Sequence, residues 1–295
     1  MPGPLRTVIA IAVLGGCATE QPSDVAASLR MQGAEGLVFV ELSDATDAPL
    51  LALLDTGANA SAIDPSRAAQ LPVVDTVEVV GTTGTVAAER VDVDGLRFGA
   101  LTLPRLRATR RDLSGLVAPS GRSVEMILGT DAFLDRVLAI DFTARTVALQ
   151  REPSPGLQCV PMRLDQGIPA LPARIGGVDL ELRVDTGASM FPTGDLFINL
   201  PTRAWRAIAA RNGEGKPRTH FQGTGADGST VQMPVYVLGA ATIAGVDCSH
   251  AFAIVQPEAG YFASPDALGF VSNNFLALLG RVEFDFAAQR FYCAP

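Results

Sequence analysis

Leu50-Leu51-Ala52-Leu53-Leu54-Asp55-Thr56-Gly57-Ala58 decides the fold, because its pattern occurs twice. The second copy is Leu180-Glu181-Leu182-Arg183-Val184-Asp185-Thr186-Gly187-Ala188. Each is a β-type run that ends in Asp-Thr-Gly-Ala. One such tetrapeptide would suit a tight turn after a strand, since Asp and Gly favour turn geometry. Two copies in matching surroundings point to a duplicated unit.

The surroundings match further along. Ile127-Leu128-Gly129 is followed by Phe133-Leu134, Ile140-Asp141-Phe142 and Val147. Leu268-Gly269 is followed by Phe275-Leu276, Phe284-Asp285-Phe286 and Phe291. The order of features is the same in both halves: strand, Asp-Thr-Gly-Ala, a long β region, an apolar-Gly step, a short helix and a strand pair. The expected fold is therefore all-β, with two homologous β-barrel-like lobes and an active cleft between them. The lobes are expected at residues 31–151 and 157–295. Glu152-Pro153-Ser154-Pro155-Gly156 separates them, since Pro and Gly interrupt regular structure.

Within the first lobe, Leu37–Leu42 and Leu50–Leu54 read as strands. Asp75–Val80 and Thr85–Val93 flank Gly81-Thr82-Thr83-Gly84, which reads as a hairpin tip. The second lobe has a counterpart in Thr219–Gln222 and Ser229–Leu238. Pro201–Arg211 is the clearest helix, with Pro at its start and Asn212-Gly213 at its end.

Composition narrows the function. Hydrophobic residues make up 48% of the 295 and charged residues 18%, which suits a packed globular chain. The net charge of −8 and a single lysine, Lys216, leave no basic stripe to neutralise phosphates, so nucleic-acid binding is not expected. His220 and His250 are the only histidines, and no Gly-x-Ser-x-Gly elbow occurs. A serine triad and a histidine-rich metal site are both poorly supplied. No metal and no cofactor are expected.

The amino terminus reads as a targeting segment. Thr7–Gly16 (TVIAIAVLGG) follows Arg6 and is about ten residues of apolar chain, against the roughly 20 needed to span a bilayer. Leu14-Gly15-Gly16-Cys17 resembles the bacterial lipobox, in which the cysteine is lipidated and acyl chains hold the protein on a membrane face. Residues 1–17 are thus expected to be a lipoprotein signal and 18–30 a tether. That predicts a lipid-anchored monomer of the cell envelope, on a periplasmic or extracellular face.

The paired aspartates carry the chemistry. Two lobes related by an approximate two-fold axis would bring Asp55 and Asp185 together. Like charges that close cannot both ionise easily, so the pair holds one proton. One carboxylate can then take a proton from a bound water while the other protonates a peptide carbonyl. Thr56 and Thr186 can lock the two loops through their hydroxyl and backbone groups. Gly57 and Gly187 allow close backbone approach, and their N–H groups can orient the carboxylates.

With both copies of Asp-Thr-Gly-Ala and the later apolar-Gly steps, the sequence resembles the pepsin and retropepsin clan of aspartic proteases over nearly all of residues 31–295. The resemblance implies an aspartic endopeptidase acting on peptide or protein substrates, with Asp55 and Asp185 catalytic. It implies a flap at Gly81, Thr82, Thr83 and Gly84. It also implies a packing role behind the catalytic loops for Ile127, Leu128, Gly129, Leu268 and Gly269. Ala58 and Ala188 follow the retroviral pattern. The flap region lacks the tyrosine usual in pepsins, and Leu268-Gly269-Phe270 is less regular than its first-lobe counterpart.

Gly223-Thr224-Gly225-Ala226-Asp227-Gly228 matches a dinucleotide-loop pattern, but a strand follows where a helix would be needed, so it reads as a hairpin loop. Cys159, Cys248 and Cys293 allow one disulfide, either Cys159–Cys293 or Cys248–Cys293. Trp205 reads as helix packing. Two rival functions use the same residues differently. A non-catalytic peptide-binding lipoprotein would use strand addition. A structural envelope lipoprotein would explain Cys17 but not the repeated Asp-Thr-Gly-Ala.

Overall fold

The strand Pro49–Leu54 is apolar along its whole length because both of its faces are covered. Leu50, Ala52 and Leu54 enter the main core, while Leu51 and Leu53 enter a second cluster with Phe39, Leu113, Ala118 and Val124. A strand buried on both faces reads as a continuous hydrophobic run and not as an alternation. It pairs antiparallel with Phe39–Ser43 and parallel with Met126–Leu128. The second copy, Val178–Asp185, pairs antiparallel with Ile168–Ile175 and parallel with Gly269–Ser272.

The computed structural model describes residues 25–30, 36–188, 195–213, 215–224 and 230–294. It is mostly β, in three sheets. A nine-stranded sheet draws all its strands from the first repeat, and a ten-stranded sheet draws all of its strands from the second. The third sheet is shared. Its order is Val25–Arg30, Thr146–Gln150, Val137–Asp141, Arg281–Asp285, Arg290–Cys293 and Gln158–Pro161, all antiparallel. Each half supplies three adjacent strands, and the halves meet where Ala139 faces Glu283. This is an all-β, two-lobed architecture with a common base. One continuous core runs through it, carrying Leu138, Ile140, Val147 and Leu149 from one half and Phe284, Phe286 and Phe291 from the other. Phe133 stacks on Phe286 with ring centroids 6.5 Å apart, joining a first-lobe residue to the last strand pair.

Three expectations change. Residues 25–30, read as part of a tether, form a strand paired with Thr146–Gln150. The shared sheet has an edge to fill there, and Val25–Arg30 occupies the place that Gln158–Pro161 takes on the opposite edge. The signal segment 1–17 with Cys17, and the rest of the tether to residue 24, lie outside the described residues.

The second change concerns register. Leu128 pairs with Leu54, and the matching partner of Val184 is Val271. The counterpart of Ile127-Leu128-Gly129 is therefore Phe270-Val271-Ser272, three residues beyond Leu268-Gly269. Backbone bonds agree: Thr130 N donates to Ala58 O, and Asn273 N donates to Ala188 O. Gly269 is still under packing pressure, since a Cβ there would press on Asn199 O.

The third concerns the cysteines, all three of which are free thiols. Gln158 faces Cys293 and Cys159 faces Tyr292, so the two cysteines are one register step apart. Cys159 is exposed and Cys293 buried, because successive residues point to opposite faces. Cys248 is buried just after the short strand Val246–Asp247 of the second lobe's own sheet, while Cys293 sits in the shared sheet.

The hairpins form as read, at Val73–Val80 with Thr85–Val93 and at Thr219–Thr224 with Thr230–Val237. The residues after Gly223-Thr224 lie partly outside the described set, and the element that follows them is a strand. The helix spans Thr202–Asn212 and buries Trp205, Ile208 and Ala209. Trp205 stacks on Tyr236 at 4.2 Å. The linker is fastened to the base, where Ser154 N donates to the buried carboxylate of Glu283 at 2.8 Å.

Candidate active site

The two Asp-Thr-Gly loops meet and clasp each other. Thr56 N donates to Thr186 Oγ1 at 2.9 Å, and Thr186 N donates to Thr56 Oγ1 at 3.1 Å. The hydroxyls donate onward across the same boundary. Thr56 Oγ1 donates to Val184 O at 2.7 Å, and Thr186 Oγ1 donates to Leu54 O at 2.9 Å. Each threonine thus reads the strand end that carries the opposite aspartate. Both threonines are fully buried, so these bonds have no competition from water.

The glycines complete the approach. A Cβ on Gly57 would lie 2.5 Å from Asp185 Cγ, and one on Gly187 would lie 2.5 Å from either carboxyl oxygen of Asp55. No other residue fits at either place. Gly57 N donates to Asp55 Oδ1 at 2.8 Å. The two carboxyls lie close enough that each shifts the titration of the other.

That proximity sets their titration. Burial pushes Asp55 above the usual carboxylate range, against the Gly57 N–H and other donors that pull it down. Asp185 is pushed up well beyond that range. Burial is the largest cause, followed by the charge of Asp55 and the hydrogen bond between them. A pair in this state keeps one proton well into the range where isolated carboxyls have lost theirs.

Behind the loops the lobes differ. In the first, Ser61 N and Ser61 Oγ donate to Asp131 at 3.1 and 2.7 Å, and Gly129 N donates to Ser61 Oγ at 3.1 Å. Burial pushes the Asp131 carboxyl up. In the second, Asn273 Nδ2 donates to Thr186 O at 2.7 Å. Sequence reasoning passed over Ser61, Asp131 and Asn273. Two of them could have been found, since Asp131 and Asn273 each follow closely on a strand that crosses behind an Asp-Thr-Gly loop.

The tip Gly81-Thr82-Thr83-Gly84 reaches across to the second lobe. Gly81 N donates to Gly84 O at 2.8 Å, and Tyr261 N donates to Gly81 O at 2.9 Å. Gly260, at φ +50, lies beneath the tip, and a Cβ there would press on Gly81 O and lie 2.7 Å from Gly84 N. The tip itself has no tyrosine, but Tyr261 comes to it from the other side of the cleft. The Tyr261 ring stacks against the Arg183 guanidinium at 4.1 Å, and its hydroxyl accepts from Leu268 N at 2.6 Å. Arg183 Nε donates to Asp165 at 2.7 Å. The seat of this hairpin tip is thus built onto the strand that ends in Asp185.

Thr82 and Thr83 also line a cavity of about 200 Å³ with Ala188, Asn199, Phe221 and Ser272. His220 and His250 are exposed, and His250 sits in a turn at φ 82. Among the described residues, no group of three or more His, Cys, Asp or Glu side chains is placed to hold a metal ion.

Residues 40–132 match the family model for aspartyl protease. The matched stretch includes Asp55, Thr56 and Gly57, the first hairpin with its tip, Ile127-Leu128-Gly129 and Asp131. It supports a protease-type function acting on peptide or protein. The second Asp-Thr-Gly lies beyond the match. No curated protein matches this chain.

Proposed function

We propose that this chain is an aspartic endopeptidase whose catalytic residues are Asp55 and Asp185. The observation that carries the proposal is the reciprocal threonine clasp, which ties the two lobes together at the point where it brings two buried carboxyls side by side. A structural turn would not need two buried acids in contact, because their mutual repulsion costs stability.

In the proposed reaction, one carboxylate removes a proton from a water held between the pair, and that water attacks the scissile carbonyl. The protonated carboxyl gives its proton to the carbonyl oxygen. The resulting tetrahedral species collapses when a carboxyl protonates the amine, and the C–N bond breaks. The substrate lies extended in the cleft, where hairpin edges offer backbone partners to it by strand addition. Lipid attachment at Cys17, on the envelope face of a bacterium, belongs to the same proposal and rests on Leu14-Gly15-Gly16-Cys17.

Incubation of the protein with a peptide mixture from pH 3 to 7 tests the reading. Cleavage in the acid range that a statine-type inhibitor blocks is expected. A folded protein that cuts nothing across this range, and that is not stabilised by the inhibitor, would overturn it.

A further inference from the structure

Next to Asp185, the cavity of about 200 Å³ is capped by Thr82 and Thr83 from the first lobe and floored by the sheet of the second. Ala188 closes the second Asp-Thr-Gly-Ala, and Ser272 pairs in register with Asp185, so the cavity adjoins the aspartate pair. Its walls are apolar, with Phe221, Met233, Ile254 and Phe270. Besides the hydroxyl residues Thr82, Thr83 and Ser272, two amide residues break that surface. Asn199 and Gln256 lie on adjacent strands and are 4% and 5% exposed.

Gln256 Nε2 donates to Asn199 Oδ1 at 2.7 Å. Among the described residues, no protein group meets the remaining Asn199 Nδ2 or Gln256 Oε1. If both amides are turned over, the outcome is the same: one NH2 group and one carbonyl oxygen are left to the cavity. The free donor and acceptor are not among the fully enclosed polar atoms and open onto the cavity, where a bound group can reach them. Packing does not call for amides here, since leucine or valine would fill these sheet positions. A donor and an acceptor side by side therefore point to a ligand group that both accepts and donates.

We propose that this cavity is the subsite for a tyrosine side chain beside the scissile bond, with its phenol hydroxyl held by Asn199 and Gln256. The proposal rests on the endopeptidase reading above. A cavity of roughly 150 Å³ takes benzene, so this one has room for a phenol ring. The hydroxyl accepts from one amide and donates to the other. Phenylalanine fills the walls but leaves the amide pair unpaired. Glutamine satisfies the pair but leaves much of the apolar wall uncovered. Among the described residues, the lining holds no charged side chain to partner a charged one, which would be desolvated without compensation.

The test uses the full-length protein and a set of otherwise identical peptides with Tyr, Phe, Gln or Leu at that position. It measures kcat/KM with the wild type and the equilibrium Kd with Asp185→Asn. Tyrosine is expected to exceed phenylalanine by about tenfold or more in both arms, as a site built to bond a hydroxyl rejects its absence. The double variant Asn199→Leu/Gln256→Met removes both partners together and should bring Tyr and Phe to parity. Phe221→Ala should weaken both peptides without changing their ratio. If the double variant fails to fold, the wild-type series still decides. Equal rates for Tyr and Phe, a preference for Gln, or an unchanged ratio in a folded double variant would overturn the subsite. Tyrosine-ranked binding without turnover of any peptide would overturn the endopeptidase reading and keep the subsite. Turnover without tyrosine preference would do the reverse.

Discussion

Replacing Thr186 by valine keeps the shape of the side chain and removes only its hydroxyl. Two groups lose their partner. Thr56 N donates to that hydroxyl at 2.9 Å, and Leu54 O accepts from it at 2.9 Å. Thr56 and Leu54 are both fully buried, so water cannot step in. Each orphaned group costs about 1–3 kcal/mol, and Thr186→Val should destabilise the fold by about 2–4 kcal/mol. For a protein of this size that is a fall of roughly 4–8 °C in the unfolding midpoint. Thr186→Ser keeps the hydroxyl and gives up one methyl, for about 1 kcal/mol. The clasp is reciprocal, so Thr56→Val should match Thr186→Val within about 1 kcal/mol. Thermal and urea unfolding of the four proteins, at fixed scan rate and pH, provides the comparison. A Val variant within about 0.5 kcal/mol of the wild type, or a Ser variant less stable than its Val counterpart, would refute the reasoning.

Three further outcomes are expected. The Asp55 and Asp185 carboxyls are raised in the folded state, so the unfolded chain gives up those protons first; their contribution is intact below the ordinary carboxylate range and is lost as pH rises through the raised values. Asp185→Asn should therefore gain stability over the wild type in unfolding experiments as pH rises above the ordinary carboxylate value of about 4 and toward the raised one, and a constant difference would contradict the shift. Gly260→Val should push the flap tip off its dock, since its Cβ would press on Gly81 O, and should raise KM for peptides by about tenfold while kcat changes less; an unchanged KM would show that the tip does not need this seat. In a protein that lacks Cys17, a thiol reagent should titrate Cys159 in the native state and reach Cys248 and Cys293 only after unfolding. Burial supports the order, and it holds the Cys248 thiol up at about 11; two thiols missing from the unfolded count would reveal a disulfide.

Much of the fold was legible because its signals are local. The strand run Leu50–Leu54, the hairpin around Gly81–Gly84 and the helix ended by Gly213 each state their structure within a few residues. The shared base was not legible, because it joins Val137–Asp141 to Arg281–Asp285 across half the chain. Val25–Arg30 contains small and mixed residues with no alternation, and only the open edge beside Thr146–Gln150 makes a strand of it. Leu268-Gly269 drew the eye by residue type, yet register assigns the crossing to Phe270-Val271-Ser272, where serine stands in place of glycine.

The site divides in the same way. The paired aspartates, threonines and glycines were visible because the motif repeats, and folding brings all six to one place. Asn199 and Gln256 sit inside the apolar strands Phe197–Pro201 and Phe252–Gln256, where a lone amide says little until its neighbour across the ladder is known. The partner of the hairpin tip comes from Gly260 and Tyr261, which no spacing rule ties to Gly81.

The central claim is that Asp55 and Asp185 act as one catalytic unit. The most direct measurement is kcat/KM for a single cleaved peptide with the wild type, Asp55→Asn and Asp185→Asn, with peptide Kd measured on all three. The account predicts that either substitution alone lowers kcat/KM by at least about a thousandfold and leaves Kd within about tenfold. Substantial cleavage by either variant would contradict it.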